Sequence, residues 1–309
     1  MSGRETIEKM VAERIIKALQ DGVCPWRRPW NLSGGSLPRN IKSKKFYRGS
    51  NVFVLGVAGF DNSWWGTYRQ WTELGATIKD GEGANYSIVT YWNRKPRRVQ
   101  DESGEWVTKN MFILRYTKAY NALQVDNAPA KYLETPEPTP APEAHAQAEK
   151  ILAGYYGSED APGHVHTNPN RAYYQPGIDL VNTPGIECYD AGDQAEYYST
   201  EFHEAGHSTG HSTRCNREGI DNFDHFGSEK YSKEELVAEM SAAMLCAITG
   251  VETDSSFKNS AAYIKNSAAY IKSWTAKLTD EPSLVMKAAG QAQKAIDVIQ
   301  GTTFADEEV

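Results

Sequence analysis

The sequence has little cysteine and no long hydrophobic run. Its four cysteines, at positions 24, 188, 215 and 246, form no C-x-x-C pair, which excludes a dense disulfide framework and a cysteine zinc site. No stretch approaches the roughly 18 apolar residues that a membrane-spanning helix needs. The first residues form a charged amphipathic segment that lacks the pattern of a signal peptide. We therefore expect a cytoplasmic protein with reduced thiols and no membrane partner.

Net charge is modest but unevenly divided along the chain. The total is −7, yet residues 1–126 hold 20 Lys+Arg against 12 Asp+Glu, a net of +8, whereas residues 127–309 hold 13 against 28, a net of −15. This asymmetry favours a first half that faces a polyanion, although two ordinary domains with different surfaces would give the same totals.

The length of 309 residues predicts two domains, and a proline-rich stretch marks the boundary between them. The segment TPEPTPAP at 135–142 holds four prolines, which favours an extended, semi-rigid spacer. We place a basic domain at residues 1–127, the linker at 128–142 and a second domain at 143–309.

The most specific motif is H-E-A-G-H at residues 203–207. Residues four apart lie on the same face of a helix, so His203 and His207 could bind one Zn²⁺. Glu204 could act as a general base toward a water molecule whose pKa the metal lowers to about 7. The pattern predicts metallopeptidase chemistry, and it leaves open whether the ion is zinc or another divalent ion such as Mn²⁺.

A second predicted helix, over 231–245, carries Glu235 and Glu239 four residues apart on one face. We expect Glu235 to be the third metal ligand, and Glu239 either to orient a ligand histidine or to replace Glu235 as the ligand. The alternative is that both glutamates are solvated and that Glu235 only completes a capping box with Ser232. The metzincin pattern is not completed here, so we assign His211 to a loop.

Periodicity and turn signals predict an α+β protein. In the first half they predict helices at 4–21 and 67–74, ended by Gly22 and Gly75, and a hairpin of strands 86–92 and 106–120. The second half is expected to open with a helix near 143–155, pass through strands around 163–167, 171–174 and 178–183, and end in helices. The heptapeptide NSAAYIK occurs twice, at 259–265 and 266–272, and predicts one helix lengthened by duplication.

The basic half interleaves aromatic side chains with cations. Single-stranded nucleic acid favours this mixture, because cations pair with phosphates and each base stacked on a ring contributes about 1–3 kcal/mol. The alternative is that most of the tryptophans are core residues. The candidate DNA contacts are Trp26, Arg27, Arg28, Lys44, Lys45, Tyr47, Arg48, Trp65, Arg69, Arg97 and Arg98.

Both halves resemble the ArdC-type antirestriction family. In the first half the resemblance is carried by PW at 25–26, PRN at 38–40, YRGSN at 47–51 and QW at 70–71. In the second half it is carried by YYST at 197–200, the H-E-x-x-H motif with HSTGH at 207–211, and EELVAE at 234–239. It covers nearly the whole chain apart from the linker and the tail.

The resemblance implies an N-terminal α+β domain that binds single-stranded DNA and a C-terminal, mostly helical, zincin-like metallopeptidase domain with a small sheet. Such proteins are carried by conjugative plasmids and other mobile elements, and protect entering DNA from host restriction enzymes. By position, the resemblance implies His203 and His207 as metal ligands, Glu204 as catalytic base and Glu235 as the acidic ligand. The peptide substrate is not implied, and a host restriction component is one candidate.

Two alternatives stay open at this point. The protein could bind DNA while its zincin domain is proteolytically inactive, or it could be a metallopeptidase whose basic half recognises an acidic protein. The sequence also departs from the commonest family pattern, which has a larger apolar residue after the glutamate, where this chain has Ala205 and then Gly206. A glycine within a helix costs about 1 kcal/mol relative to alanine, so we expect a less rigid helix here.

Overall fold

The computed structural model describes residues 3–26, 37–134, 137–190, 194–218, 220, 229–251 and 261–302, without the side chains of 229–232 and 261–268. Within them the helices are α1 Gly3–Gln20, α2 Ser50–Gly56, α3 Tyr68–Thr72, α4 Ala141–Tyr156, α5 Gln194–Ser208, α6 Glu229–Thr249, α7 Ala261–Asp280 and α8 Ser283–Ile299. The strands are β1 Arg39–Asn40, β2 Trp64–Gly66, β3 Thr77–Ile78, β4 Ser87–Gln100, β5 Trp106–Asn121, β6 Val125–Asp126, β7 Gly163–Val165, β8 Tyr173–Gln175 and β9 Leu180–Asn182. The predicted α+β class is confirmed.

Local chemistry sets several of the helix boundaries in the first half. Thr67 caps α3, because its hydroxyl accepts from the backbone N–H of Gln70 at 3.2 Å while the Gln70 side chain accepts from the Thr67 backbone at 2.9 Å. Gly75 follows with φ +79°, and Gly22 follows α1 with φ +80°. Both angles lie in the left-handed region that glycine adopts without steric cost, so both predicted helix ends are confirmed.

A long β-hairpin dominates the first half. Strands β4 and β5 pair antiparallel from Ser87 opposite Ala119 to Gln100 opposite Trp106, and β5 continues into a four-stranded sheet of order β1-β2-β5-β4. At the tip, Asp101 accepts from the backbone N–H of Ser103 at 2.9 Å. The hairpin prediction is confirmed, but β4 runs to the tip rather than ending at residue 92, because β5 pairs with it along its whole length.

The second half places a small sheet beside a helical layer. The sheet has the order β7-β9-β8, with β9 parallel to β7 and antiparallel to β8. Strands β8 and β9 pack on α5, which in turn packs on α6. Helix α7 includes the second NSAAYIK copy and the first copy from Ala261 onward, whereas residues 259 and 260 lie outside the described residues. None of the helices described is both long and apolar enough to cross a bilayer.

The two halves share one hydrophobic core. Val11, Ile15 and Leu19 of α1 belong to the same buried cluster as Met240 of α6 and Val285 of α8. Polar contacts also join the two halves. Arg48 pairs with Asp297 at 2.6 Å, and the Gly49 N–H donates to the Gln293 side chain at 3.0 Å. The helix that opens the basic half is therefore buried against the acidic half. The proposed boundaries at 1–127, 128–142 and 143–309 stay predictions.

Candidate metal centre and nucleic-acid surface

Three potential metal ligands meet where α5 passes α6. His203 and His207 lie one turn apart on α5, with their Nε2 atoms 3.1 Å apart. The Glu235 carboxylate, on α6, lies 3.5 Å from His203 Nε2 and 3.3 Å from His207 Nε2. Atoms that bind one tetrahedral Zn²⁺ at about 2.0–2.1 Å lie roughly 3.3 Å from each other. The spacing of the three ligand atoms therefore fits a single divalent ion.

The electrostatics of the cluster also favour positive charge at this point. Burial alone would lower the pKa of His207, but hydrogen bonds to Glu234 and Glu235 and the charge of Glu204 raise it to about 10. Burial alone would raise the pKa of Glu235, but His203 and His207 outweigh it and hold that pKa well below the usual value. Two ring nitrogens as close as those of His203 and His207 also need a proton or a cation between their lone pairs.

Glu204 lies on the same helix and is almost completely buried. Burial raises the pKa of its carboxyl, and the neighbouring His207 and His203 partly oppose that shift. A raised pKa brings a carboxylate closer to the value that proton transfer near neutral pH requires. Glu204 thus has the environment expected of a general base.

A buried ion pair orients His207 from behind. The Glu234 carboxylate lies 3.3 Å from His207 Nδ1 and accepts two bonds from Arg217, at 2.9 and 2.5 Å. Arg217 in turn donates to the Thr209 hydroxyl at 2.7 Å and to the Gly206 carbonyl at 2.8 Å. Burial alone would raise the pKa of Glu234, but the His207 and Arg217 hydrogen bonds hold it below its usual value. A carboxylate on Nδ1 fixes the ring so that Nε2 faces the ion.

The carboxylate at His207 Nδ1 is therefore Glu234, a residue that sequence reasoning did not single out. Glu239, the residue expected to orient a histidine or to replace Glu235, accepts a hydrogen bond from the Tyr270 hydroxyl and is not in the group formed by His203, His207 and Glu235. The available signal was the adjacency of Glu234 to Glu235, since neighbouring residues point about 100° apart on a helix and can approach one site from two sides.

Gly206 allows the two helices of the site to approach closely. A Cβ at this position would lie 3.3 Å from the Ala238 Cα and 3.3 Å from the Ser241 Cβ of α6. The expectation of a less rigid helix considered only helix propensity, whereas the packing of α6 against this glycine opposes such loosening. A larger residue here would require α6 to move by a few tenths of an ångström, so the glycine favours the close approach of the α6 carboxylates to the α5 histidines.

Helix α5 ends immediately after the site. A Cβ on Gly210 would lie only 2.2 Å from the Ile220 side chain, so a larger residue here would displace that side chain. The His211 ring lies beyond that turn, 2.9 Å from the Thr213 hydroxyl and outside the three-ligand group. Its loop position agrees with the sequence-based assignment.

Arg214 closes the end of α5 and ties it to the small sheet. Its guanidinium donates to the Ser208 carbonyl at 2.9 Å and to the Asp179 carboxylate at 3.0 Å. Burial alone would raise the pKa of Asp179, but hydrogen bonds from Arg214 and Tyr174 hold it below its usual value. This ion pair fixes the last turn of the helix that carries both histidines.

The residues expected to contact DNA differ in how far they are buried. Trp26 and Trp65 are only 3% and 1% exposed, and Trp26 donates to the Tyr270 hydroxyl at 2.8 Å. No base can stack on either ring in this conformation. Arg48 forms an ion pair with Asp297. Lys44 is exposed, but its ammonium donates to the Ile41 carbonyl and to the Tyr132 hydroxyl.

Other candidates remain at the surface. Lys45, Arg69, Arg97 and Arg98 are exposed, and Tyr47 is half-buried. Arg69 also pairs with Glu73 at 2.8 Å, and the Tyr47 hydroxyl accepts from Asn40 at 2.8 Å. Arg27 and Arg28 lie outside the described residues.

The outer part of the hairpin presents aromatic rings that the candidate residues did not include. Trp92, Trp106 and Phe112 are 48%, 60% and 64% exposed. Directly paired residues lie on the same face of a hairpin, so one face carries Trp92 with Leu114, Arg94 with Phe112, Arg98 with Thr108, and Trp106 with Gln100. The two strands hold seven Lys+Arg and no Asp or Glu. The alternation of Phe112, Leu114 and Tyr116 signalled this strand, but only Leu114 of the three is buried.

Comparisons with known proteins find matches to both halves of the chain. Residues 5–122 match the N-terminal domain of anti-restriction factor ArdC, and residues 158–291 match a zincin-like metallopeptidase family. The crystal structure of metal-free ArdC from plasmid R388 is 33% identical, with a TM-score of 0.69, over 95% of this chain and 96% of that one. Its Mn(II)-bound form is 31% identical, with a TM-score of 0.68, over 95% and 97%.

Curated relatives extend the comparison. Protein y4eC of Sinorhizobium fredii is 31% identical over 94% of this chain and 90% of its own length. Two DNA primase TraC proteins of Escherichia coli also match, and one of them is 31% identical over 97% of this chain. The chain spans only 20% and 27% of the length of those two TraC proteins. The near full-length matches, together with the two domain matches, show that this chain belongs to the ArdC antirestriction family.

Proposed function

We propose that this protein binds single-stranded DNA through its first half and carries a divalent-metal peptidase-type site in its second half. In the cytoplasm, the two activities would together protect the incoming DNA of a mobile element from host restriction. The observation that carries the proposal is the convergence of His203, His207 and Glu235 on one point, beside the buried Glu204.

The donor set supports a resident divalent ion. Two imidazoles and one carboxylate suit Zn²⁺ and leave a position for water or substrate, while the related ArdC of R388 has a Mn(II)-bound structure. An ion held by these three residues would supply Lewis acidity and lower the pKa of water at the site. Elemental analysis of purified wild-type protein and of His203→Ala identifies the ion, and equal metal contents would remove this assignment.

The chain's own residues account for the proton transfer. Glu204 is buried beside the triad and its pKa is raised, so its carboxylate can accept a proton from the attacking water and donate it to the departing amine. Glu234 and Arg217 hold the His207 ring in position. These roles match a peptidase, in which a single carboxylate shuttles the proton.

The hairpin supports the DNA-binding part of the proposal. A face that alternates exposed rings with arginines, on strands without acidic residues, provides both the stacking surfaces and the phosphate partners that a single strand needs. Gel shifts with single-stranded oligonucleotides at increasing salt test this part. Absence of a shift even at low salt would remove it and favour an acidic protein as the partner of the basic half.

The decisive test of the enzyme part is a transfer assay with Glu204→Ala. Unmodified plasmid DNA enters a restricting recipient, and survival is compared among wild type, Glu204→Ala and Glu143→Ala, a control at an exposed position of α4. We expect Glu204→Ala to keep metal and DNA binding but to lose protection. Protection equal to wild type would overturn the peptidase role and support DNA coating by a protein with an inactive zincin domain.

A further inference from the structure

A second group of metal-ligating side chains lies on the other side of α5. His164 of β7, His166 just beyond that strand and Glu201 of α5 bring one potential ligand atom each to within 4.8 Å of one another. His164 Nε2 lies 3.2 and 3.3 Å from the two carboxylate oxygens of Glu201. These separations equal the edge of roughly 3.3 Å expected between two atoms that bind one tetrahedral Zn²⁺.

The Glu201 carboxylate lacks a permanent countercharge in the described part of the chain. It is 0% exposed, and within the described ranges no lysine or arginine lies within 4.0 Å of it. Neutral hydroxyls also contact it, from Thr183, from Tyr156 at 3.3 Å and from Tyr197. Taking a carboxylate out of water is costly unless it is paired or binds a metal, and a cation shared with the two histidines would be such a partner.

Neighbouring groups hold both rings in place. Tyr156 stacks on His164, with ring centroids 3.9 Å apart and planes inclined by 5°. His166 Nδ1 lies 3.0 Å from the Thr183 carbonyl, and the Thr183 hydroxyl also contacts Glu201. Ligand histidines in metal sites are commonly oriented by a backbone carbonyl in this way.

We propose that His164, His166 and Glu201 form a second divalent-cation site. Its two imidazoles and one carboxylate suit Zn²⁺ or another ion that accepts these ligands. Glu201 and His203 are two residues apart on α5 and therefore point about 200° apart around the helix axis. The second site is thus distinct from the triad of His203, His207 and Glu235. The exposed ring of His166 gives the ion a path from solvent.

An ion at this site would join the small sheet to the helix of the first site. His164 pairs within the sheet through β7, opposite Val181 of β9, while Glu201 belongs to the α5 turn that precedes His203. The cation would therefore cross-link the small sheet to α5, whatever reaction the first site performs. The inference depends on neither the peptidase nor the DNA-binding proposal.

Metal stoichiometry tests this inference. Protein stripped with a chelator is titrated with Co²⁺, whose visible spectrum reports coordination, and then with Zn²⁺ in competition with a chromophoric chelator. The variants are His166→Ala at the exposed ligand, His203→Ala in the first site, the double variant, and His145→Ala as a histidine control outside both groups. Circular dichroism and thermal melting of the stripped proteins confirm that each variant is folded.

We expect two ions per chain for wild type and His145→Ala, one for each single-site variant and none for the double variant. Adding Zn²⁺ to His203→Ala should raise its melting temperature, and adding it to the double variant should not. One ion in wild type and in His166→Ala, with none in His203→Ala, would overturn the second site and leave the first intact. One ion in His203→Ala and none in His166→Ala would support the second site and remove the first.

Discussion

The metal centre and the hairpin use charged side chains in opposite ways. Around His207, the partners Glu234 and Arg217 are buried, and each polar group of the ion pair has a partner inside the protein. On the hairpin, Arg98 and Trp106 face solvent and approach each other only loosely, at 5.9 Å from the guanidinium to the ring centroid. We therefore expect the loss of a side chain to lower folding stability strongly in the first region and little in the second.

The largest expected effect comes from breaking the buried ion pair. Arg217→Met should lower the free energy of unfolding by about 3–5 kcal/mol, because it leaves a buried carboxylate without its partner. Arg69→Met removes an exposed ion pair with Glu73 and should cost at most about 1 kcal/mol. Urea unfolding of the stripped proteins measures both values, and similar losses for the two variants would contradict the contrast between the regions.

A smaller effect is expected when Glu234 keeps its shape but loses its negative charge. Glu234→Gln should weaken metal affinity by about 10- to 100-fold, since it alters the group that orients His207. Glu239→Gln is the matched control on the same helix, and should leave metal affinity unchanged because its carboxylate contacts Tyr270. Competition with a chromophoric chelator measures both affinities. If only Glu239→Gln weakened binding, the sequence-based role of Glu239 would be restored.

The hairpin prediction concerns binding alone. Trp106→Ala should weaken single-stranded DNA binding by about 1–3 kcal/mol, the contribution of one stacked base, while its unfolding curve stays that of wild type. Tyr68 on α3 is equally exposed, at 63%, and Tyr68→Ala serves as a control outside the hairpin. Fluorescence anisotropy with a labelled oligonucleotide measures both affinities. A loss of binding shared by the two variants would point to a surface wider than the hairpin.

The smallest effect should appear only in acid. The pKa of Asp179 lies below its usual 3.8 in the folded protein, so the unfolded state binds a proton more readily than the folded state. The stability that this carboxylate contributes is therefore present above pH 3.8 and is lost as the pH falls through the folded-state pKa. The stability difference between wild type and Asp179→Asn should shrink over that window, and a difference that grew on acidification would contradict the sign.

The sequence identified the centre of the metal site because its spacing is local. His203, Glu204 and His207 lie within two helical turns, so helix geometry alone brings them together. Glu235 followed from a second helix and from the family resemblance. The identity of the carboxylate at His207 Nδ1 could not be obtained this way, because it depends on how α6 crosses α5, where Gly206 lies close to Ala238 and Ser241.

Helix starts and surface rings were harder to predict for a related reason. Ser232 was a candidate capping-box residue, yet α6 begins earlier, at Glu229, because the stability of a helix in a protein comes mainly from tertiary packing rather than from local signals. The sequence likewise does not show which rings of an aromatic cluster are buried. Trp65 fills the core and Trp92 faces solvent, although both lie among cations in the sequence.

The burial of α1 against α8 has a consequence for how this protein can evolve. Val11, Ile15 and Leu19 share a buried cluster with α6 and α8, so dividing the chain near residue 127 would expose part of that cluster on both fragments. Exposed apolar patches promote aggregation, and recombination that exchanged one half alone would carry that risk. Inheritance of both halves together avoids that exposure. The TraC primases match nearly the whole of this chain within a small fraction of their own length, as expected for a unit that is transplanted intact.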